Sequence, residues 1–173
     1  FALLAGYGCS AINPYLAFES LWHAQRDGLL PAEYTDEKIV HGYQKAVAKG
    51  MIARKAGKII NISSVQSELG RPTIAPYTAT KGAIKMLTKG MCADWAKHNI
   101  QVNAIGPGYF KTPLNQALVD SPEFSGWLEK RTPAGRWGTT DELIGAAIFL
   151  ASPASSFVNG HILYVDGGIT SVL

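Results

Sequence analysis

The alternation of short apolar runs with helical segments limits most strongly what this chain can fold into. Three runs, at residues 58–63, 100–105 and 161–165, have the length and apolar content of buried β-strands. Segments whose apolar residues recur with helical spacing lie between them. Strands that alternate with helices are typical of a parallel sheet covered by helices. We therefore predict an α/β fold.

Two of the helical segments are long enough to cover such a sheet. Residues 76–97 and 140–151 each carry an apolar side, and Thr140 is the predicted N-cap of the second. The residues predicted to face the core are Ala83, Leu87, Met91 and Trp95 in the first helix, and Leu143, Ile144, Ala147 and Ile148 in the second.

Capping signals indicate further helices. Asn13 and Pro14 suit the start of a helix that ends near Gly28, and Thr35 can cap a second helix. Short helices are predicted near residues 113–119 and 123–130, within a Pro- and Gly-rich excursion. Long excursions after a strand often form a lid or a substrate loop.

Tyr77, Lys81 and Ser64 form the combination that indicates chemistry. Residues four apart share a helix face, so the Lys81 ammonium can lie near the Tyr77 phenol. A free phenol has a pKa of about 10, but a nearby cation stabilises the phenolate and makes the group a better acid–base catalyst. Ser64 follows the first strand, where its hydroxyl can hold a substrate oxygen. A tyrosine and a lysine four apart also occur by chance on many helices. The surrounding motifs therefore decide whether this pair is functional.

Those surrounding motifs resemble the C-terminal half of the short-chain dehydrogenases/reductases. They are the hydroxyl-ended strand at residues 57–64, the helix start at 75–83, the strand closed by Gly106-Pro107-Gly108, and the last strand running into Asp166-Gly167-Gly168. The resemblance covers residues 49–173. Within the family, the stretches at 66–71, 107–112, 130–138 and 157–160 are most similar to the gluconate 5-dehydrogenases. The resemblance implies a partial Rossmann-like parallel sheet, the last three strands of a doubly wound sheet, preceded by an N-terminal helical segment.

The same resemblance implies roles for individual residues. Tyr77 would be the general acid–base, Lys81 would support it and bind the nicotinamide ribose, and Ser64 would position the reacting carbonyl or alcohol. The residues implied to lie along the nicotinamide side of the cofactor are Pro107, Gly108, Phe110 and Thr112. The implied reaction is hydride transfer between NADP or NAD and the ketone of a sugar acid such as 5-ketogluconate. Intact members of the family imply a homo-oligomer.

Parts of the family pattern have no counterpart in these 173 residues. They include the glycine-rich phosphate loop, which holds the pyrophosphate in such folds, and the asparagine that completes the catalytic set. Gly6, Gly8 and Ala11 match a dinucleotide fingerprint, but a new helix starts at Asn13, and too few residues precede Ser64 for the missing strand–helix units. We therefore expect impaired turnover. The first strand would also expose an unpaired edge, which favours the alternative of a non-catalytic interaction piece.

Residues 1–48 resemble a different protein, the central region of the glutamate synthase large subunit. No catalytic residue of that enzyme is matched here. The chain is therefore interpreted as a helical segment, 1–48, joined to a dehydrogenase half, 49–173, with the junction between residues 41 and 51. A fragment of a glutamate synthase flavoenzyme is a further alternative.

Composition excludes several other functions. The net charge of +3 is too small and scattered for a nucleic-acid partner, and no apolar run is long enough to span a membrane. Cys9 and Cys92 provide neither a disulfide framework nor the spacing of a metal site, which fits the cytoplasm. The first residue is Phe1 and no basic leader precedes the apolar start, so we expect a fragment or processed chain without a signal peptide.

Three arginines and two tryptophans allow alternative interpretations. Arg71, Arg131 and Arg136 are the side chains among which a clamp for a substrate carboxylate is expected, unless they are solvated surface residues. Trp127 and Trp137 either line the lid or pack it.

Overall fold

The computed structural model describes residues 22–173, apart from the side chains of residues 37, 40, 41, 43 and 44. The chain divides into two compact units. One contains the residues up to Gly57 together with His98–Ile100, and the other contains Lys58–Lys97 and Gln101–Leu173. The start of the helix predicted from Asn13 lies outside the described residues, of which 22–26 are helical.

The first unit is built on helix α1, Asp36–Arg54. Thr35 is its N-cap, as predicted, and its hydroxyl accepts a hydrogen bond from the Lys38 N–H at 3.4 Å. The helix ends at Arg54, and its C-cap Lys55 has a left-handed φ of +52°. Among the described side chains of α1, Ile39 and Ala48 are buried.

The remaining strands and helices alternate. They are β1 (Gly57–Ile62), α2 (Ala75–Trp95), β2 (Ile100–Pro107), α3 (Gln116–Val119), α4 (Pro122–Arg131), α5 (Ile144–Ala151) and β3 (Ile162–Val165). The described strands form one sheet in the order β1-β2-β3, and β2 and β3 run parallel. The predicted α/β fold with a three-stranded Rossmann-like sheet is confirmed.

Strand β2 is the buried centre of this sheet. Its apolar residues Val102 and Ala104 have no exposed surface. Asn103 is buried beside them, and its side chain donates to the Val158 carbonyl at 2.8 Å and accepts from the His161 N–H at 3.0 Å. These bonds tie the loop before β3 to the centre of the sheet. They also support the register in which Ala104 pairs with Ile162.

The inward face predicted for α2 is wrong at Ala83 and Leu87, which are both exposed. The buried residue of this helix is Thr88, one position later. Its hydroxyl donates to the Ile84 carbonyl at 2.8 Å and accepts from the Asn61 amide at 2.9 Å. A polar side chain can therefore hold the helix on the sheet, because both of its hydrogen bonds are made inside the protein.

The helix predicted at residues 140–151 begins as a 3₁₀ turn and continues as α5. Its N-cap is Thr139 and not Thr140, because Glu142 lies three residues after Thr139 and accepts its N–H at 2.8 Å. The prediction of the inward face is also wrong. Ile144 and Ile148 are more than half exposed, whereas Leu150 is buried.

Candidate functional site

Helix α2 brings Tyr77 and Lys81 together in its first two turns. The Lys81 Nζ lies 5.6 Å from the centroid of the Tyr77 ring. The same ammonium donates to the carbonyl of Ile62, the last residue of β1, at 3.0 Å. The hydroxyl of Ser63 in turn donates to the Lys81 carbonyl at 3.5 Å. The start of α2 is therefore held against the carboxyl end of β1, where the Tyr77 side chain is 47% exposed.

Ser64 lies at the same end of β1, in a short polar turn. It is buried and is the N-cap of the 3₁₀ turn Val65–Ser67. Its Oγ accepts the Gln66 N–H at 3.1 Å. That bond uses a lone pair of the hydroxyl oxygen, so the O–H can still donate to a substrate oxygen. The structure thus brings the three predicted catalytic residues to one edge of the sheet.

Glu68 connects the serine turn to α2 and to β3. One oxygen of its carboxylate pairs with the ammonium of Lys85 and accepts the hydroxyl of Tyr164 at 3.0 Å. The hydrogen bond from Lys85 lowers the pKa of Glu68. The Tyr164 hydroxyl also bonds to Ser67 at 2.9 Å. Sequence reasoning missed this anchor, although Lys85 follows Lys81 by one helical turn.

Gly106 is required for this anchor to form. In the register of the sheet, Gly106 of β2 pairs with Tyr164 of β3. A Cβ at Gly106 would lie 2.4 Å from a carbon of the Tyr164 ring, which is closer than atoms can approach. A glycine at this position therefore lets the ring cross β2 and carry its hydroxyl to Glu68.

The predicted cofactor-binding stretch follows β2. Pro107 ends the strand, and the Gly108 N–H donates to the Val165 carbonyl at 2.9 Å. The Phe110 ring is buried, with its backbone bridged to Gly138, so its side chain packs inside the protein. Thr112 is the N-cap of the next turn. The stretch therefore leaves the carboxyl end of β2, the edge at which ligands bind in parallel α/β sheets.

Four aromatic rings form a cluster after β2, with Tyr109 as its centre. The Tyr109 ring lies 5.7 Å from Phe124, 6.2 Å from Trp127 and 5.9 Å from Trp137, measured between ring centroids. The Gln66 side chain donates to the Tyr109 hydroxyl at 3.3 Å. Sequence reasoning missed Gln66 and Tyr109, because no local signal links residues so far apart in the chain.

The three candidate arginines have different partners. The Arg136 guanidinium donates hydrogen bonds to both carboxylate oxygens of Glu142, at 2.9 and 2.6 Å. Arg131 donates from one Nη to the Val172 carbonyl at 3.0 Å. The Arg71 guanidinium lies over the Phe124 ring, 5.4 Å from its centroid. Arg136 is therefore already engaged with a carboxylate of its own chain.

The contribution of the Arg136–Glu142 ion pair to stability should depend on pH. Hydrogen bonds from Arg136 lower the pKa of Glu142 to about 2. Because this pKa is depressed in the folded state, the contribution of the pair to stability is present above the unfolded pKa and is lost as the pH falls toward 2. We expect the Glu142 pKa to rise toward its ordinary value in Arg136→Gln, as followed by NMR of the side-chain carboxyl. Arg131→Gln is the control, and an unchanged Glu142 pKa in Arg136→Gln would contradict the assignment.

A small pocket of about 60 Å³ lies beside the aromatic cluster. Its walls include Tyr109, Phe110, Thr132 and Asp166. Ser64, Tyr77 and Lys81 do not line it, so the predicted catalytic residues lie outside this pocket. Among the described residues, no group of three metal-binding side chains is suited to an ion, and no helix is long and apolar enough to cross a membrane.

Two family models match different parts of the chain. A model of the short-chain dehydrogenases, described as enoyl-(acyl carrier protein) reductase, matches residues 36–170. A model described as the glutamate synthase central domain matches residues 1–70. The two matches overlap at the start of the dehydrogenase-like region.

Individual relatives match the dehydrogenase-like region. The 5-keto-D-gluconate 5-reductase of Escherichia coli K12 is 66% identical over 125 residues, which are 72% of this chain and 49% of that protein. The gluconate 5-dehydrogenase of Gluconobacter oxydans 621H is 65% identical over 126 residues, 73% of this chain and 49% of that protein. A crystal structure of a gluconate 5-dehydrogenase from Burkholderia cenocepacia J2315, in complex with NADP and tartrate, is 69% identical with a TM-score of 0.75 and covers 79% of this chain and 53% of that one. The chain thus spans about half the length of the curated relatives that it matches.

Proposed function

Since this chain belongs to the short-chain dehydrogenase/reductase family, as its motifs predicted, we propose that it carries the acid–base half of an NADP- or NAD-dependent sugar-acid oxidoreductase. The substrate class would be a keto or hydroxy sugar acid such as 5-ketogluconate. The names of the relatives support this class, and the tartrate held by one of them is also a hydroxy acid. The observation that carries the proposal is the Lys81 ammonium 5.6 Å from the centre of the Tyr77 ring.

The three side chains divide the proton chemistry between them. In the reducing direction, Tyr77 donates its proton to the oxygen of the ketone. The Lys81 ammonium stabilises the phenolate that remains, because opposite charges attract strongly where water is partly excluded. Ser64 donates its O–H to the same substrate oxygen and polarises the carbonyl. The Ile62 carbonyl orients the ammonium by accepting one of its three N–H groups.

The polar groups around this edge fit the nicotinamide end of the cofactor. When bound, the nicotinamide supplies or accepts the hydride. The ammonium of Lys81 and the hydroxyls of Tyr77 and Thr112 would hold its ribose and amide, beside the backbone of Pro107 and Gly108. Phe110 would support this stretch from inside the protein. We further propose that these 173 residues alone hold the cofactor weakly and turn over slowly.

The loss of cofactor absorbance tests the proposal. We expect the chain, at high concentration with NADPH or NADH, to oxidise the cofactor slowly when 5-keto-D-gluconate is added and not at all without it. The full-length Escherichia coli relative provides the reference rate. Absence of any rate that depends on the keto acid would contradict the proposed function.

A second candidate function follows from the edge of the sheet. In the described part of the chain, β1 is an outer strand, and Ile62 at its end is exposed. An open strand edge can pair with a strand of another chain, which would make this polypeptide a non-catalytic interaction piece. A molar mass by light scattering that exceeds the mass of one chain, in a protein without turnover, would support this alternative. A molar mass equal to that of one chain would contradict it.

The organisation of the chain is also a proposal. We infer that residues 1–48, a glutamate synthase-like segment, and residues 49–173 have separate origins. Transcript sequence across residues 41–51 tests whether the two segments are joined naturally, and a transcript that does not run through this region would show that the join is not natural.

A further inference from the structure

We propose that Arg71, Gln66 and Tyr109 form a subsite for the carboxylate end of the substrate. Arg71 binds the carboxylate, while Gln66 and Tyr109 bind the hydroxyls next to it. The ligand class is a short polyhydroxy carboxylate, and the inference rests on the proposed function for the position of the reacting ketone.

Arg71 is the candidate arginine that is suited to this role. Its guanidinium carbon lies over the Phe124 ring, 5.4 Å from the ring centroid. Contact with a ring uses the face of a guanidinium and leaves its N–H groups, which lie in the plane, available to a carboxylate. Its Nε is buried without a hydrogen-bond partner among the described residues. An oxygen that enters beside it would satisfy this donor.

Gln66 supplies the complementary acceptor. The side chain is 6% exposed, and its amide nitrogen is fixed by the bond to the Tyr109 hydroxyl. Its Oε1 is buried and has no hydrogen-bond partner within residues 22–173. Buried polar atoms are normally paired, so an unpaired acceptor indicates a place for a ligand hydroxyl. A hydroxy acid carries a carboxylate oxygen, which can accept from Arg71, and a hydroxyl, which can donate to Gln66.

The three residues lie next to the predicted catalytic groups. Gln66 donates its backbone N–H to the Ser64 hydroxyl, and Tyr109 follows directly after Gly108. Burial raises the pKa of Tyr109, and the positive charge of Arg71 opposes this rise. The Tyr109 hydroxyl is bonded to the Gln66 side chain, so these two residues lie together beside the Ser64 turn. A substrate whose ketone is held by the Ser64 hydroxyl would extend its other end past Gln66 toward Arg71.

Ligand-observed NMR titration of the whole chain in the presence of NADP tests the subsite. The two probes are 5-keto-D-gluconate and the matched neutral ketohexose, in which a primary alcohol replaces the carboxylate. We expect the unmodified chain to prefer the carboxylate by roughly 10- to 100-fold, the usual effect of charge-assisted hydrogen bonds. Arg71→Gln should reduce this preference to about 1, because it weakens the binding of the carboxylate probe and leaves the binding of the neutral probe unchanged. Arg71→Lys, which keeps the charge but loses the planar fork, should keep part of the preference.

Arg54→Gln is the matched control, because Arg54 is an exposed arginine at the end of α1. It should bind both probes like the unmodified chain. Thermal unfolding followed by circular dichroism establishes that each variant is folded. No carboxylate preference in the unmodified chain, or the same preference in folded Arg71→Gln, overturns the subsite. If the unmodified chain turns over 5-keto-D-gluconate but Arg71→Gln keeps the same carboxylate preference, the subsite alone is refuted. If Arg71→Gln loses the carboxylate preference but the unmodified chain shows no turnover, the proposed function alone is refuted.

Discussion

Replacing Tyr77 by phenylalanine should lower the rate of NADPH-dependent 5-keto-D-gluconate reduction by about 10²- to 10⁴-fold, the usual contribution of a positioned general acid. The variant removes one hydroxyl and keeps the ring on which the Lys81 ammonium rests, 5.6 Å from the ring centroid. Because Tyr77 is 47% exposed, its hydroxyl contributes little to the core, so the change should act on the chemistry and not on folding. The rate is measured from cofactor absorbance at saturating keto acid.

Tyr34→Phe is the matched control for this loss. Tyr34 is 46% exposed, which is nearly the value for Tyr77, and it lies in the other compact unit of the chain. Its loss of a hydroxyl should leave the rate within the error of the assay. If Tyr77→Phe retained the rate of the unmodified chain, the acid–base assignment of Tyr77 would be wrong, while the fold would be unaffected.

The parts of the fold that the sequence predicted correctly depend on local signals. Thr35 caps α1 because a hydroxyl just before the helix can bond to an N–H of its first turn. Tyr77 and Lys81 meet because a helix brings residues four apart together, whatever else the chain does. The cap of the last helix could also have been predicted. Of two adjacent threonines, Thr139 is the one that has a glutamate three residues later, which is the sequence of a capping box.

The incorrect predictions concern which face of each helix is buried against the rest of the protein. Apolar spacing identifies a face of α5, but Ile144 and Ile148 on that face are exposed in the described residues. Spacing along a helix carries no information about the layer that packs against it. The buried position of α2 was missed for a related reason. Thr88 is polar, and it is buried because Asn61 of β1 supplies a hydrogen-bond partner that is distant in sequence.

The surroundings of the site depend on contacts between distant segments. Gln66 meets Tyr109, and Arg71 meets the ring of Phe124, after the excursion that follows β2 has folded back. No periodicity or capping signal predicts such pairs, since each depends on the path of the whole excursion. The sequence therefore predicted that Tyr77 and Lys81 lie together, and it could not predict which distant residues pack around the excursion after β2.

Trp137→Ala should lower the free energy of unfolding by about 3–5 kcal/mol, the cost of removing a large ring from a packed core. Trp137 is 4% exposed and belongs to a buried cluster with Val65, Leu128 and Ile169. Its indole N–H also donates to the Ser125 hydroxyl at 3.0 Å, and the truncation leaves that hydroxyl without this donor. Urea unfolding followed by circular dichroism measures the loss.

Trp127→Ala is a control from the same aromatic cluster that differs in burial. Trp127 is 44% exposed and contacts Phe124 and Tyr109 through ring centroids 5.3 and 6.2 Å away. Its removal should cost roughly half as much as the removal of Trp137, because 44% of its surface stays in water on folding. Equal losses in the two variants would contradict the division of the cluster into a buried Trp137 and an outer Trp127. Unequal losses in the expected order would assign Trp137 to packing, and would leave Trp127 as the tryptophan whose exposed face is available to a substrate beside Arg71.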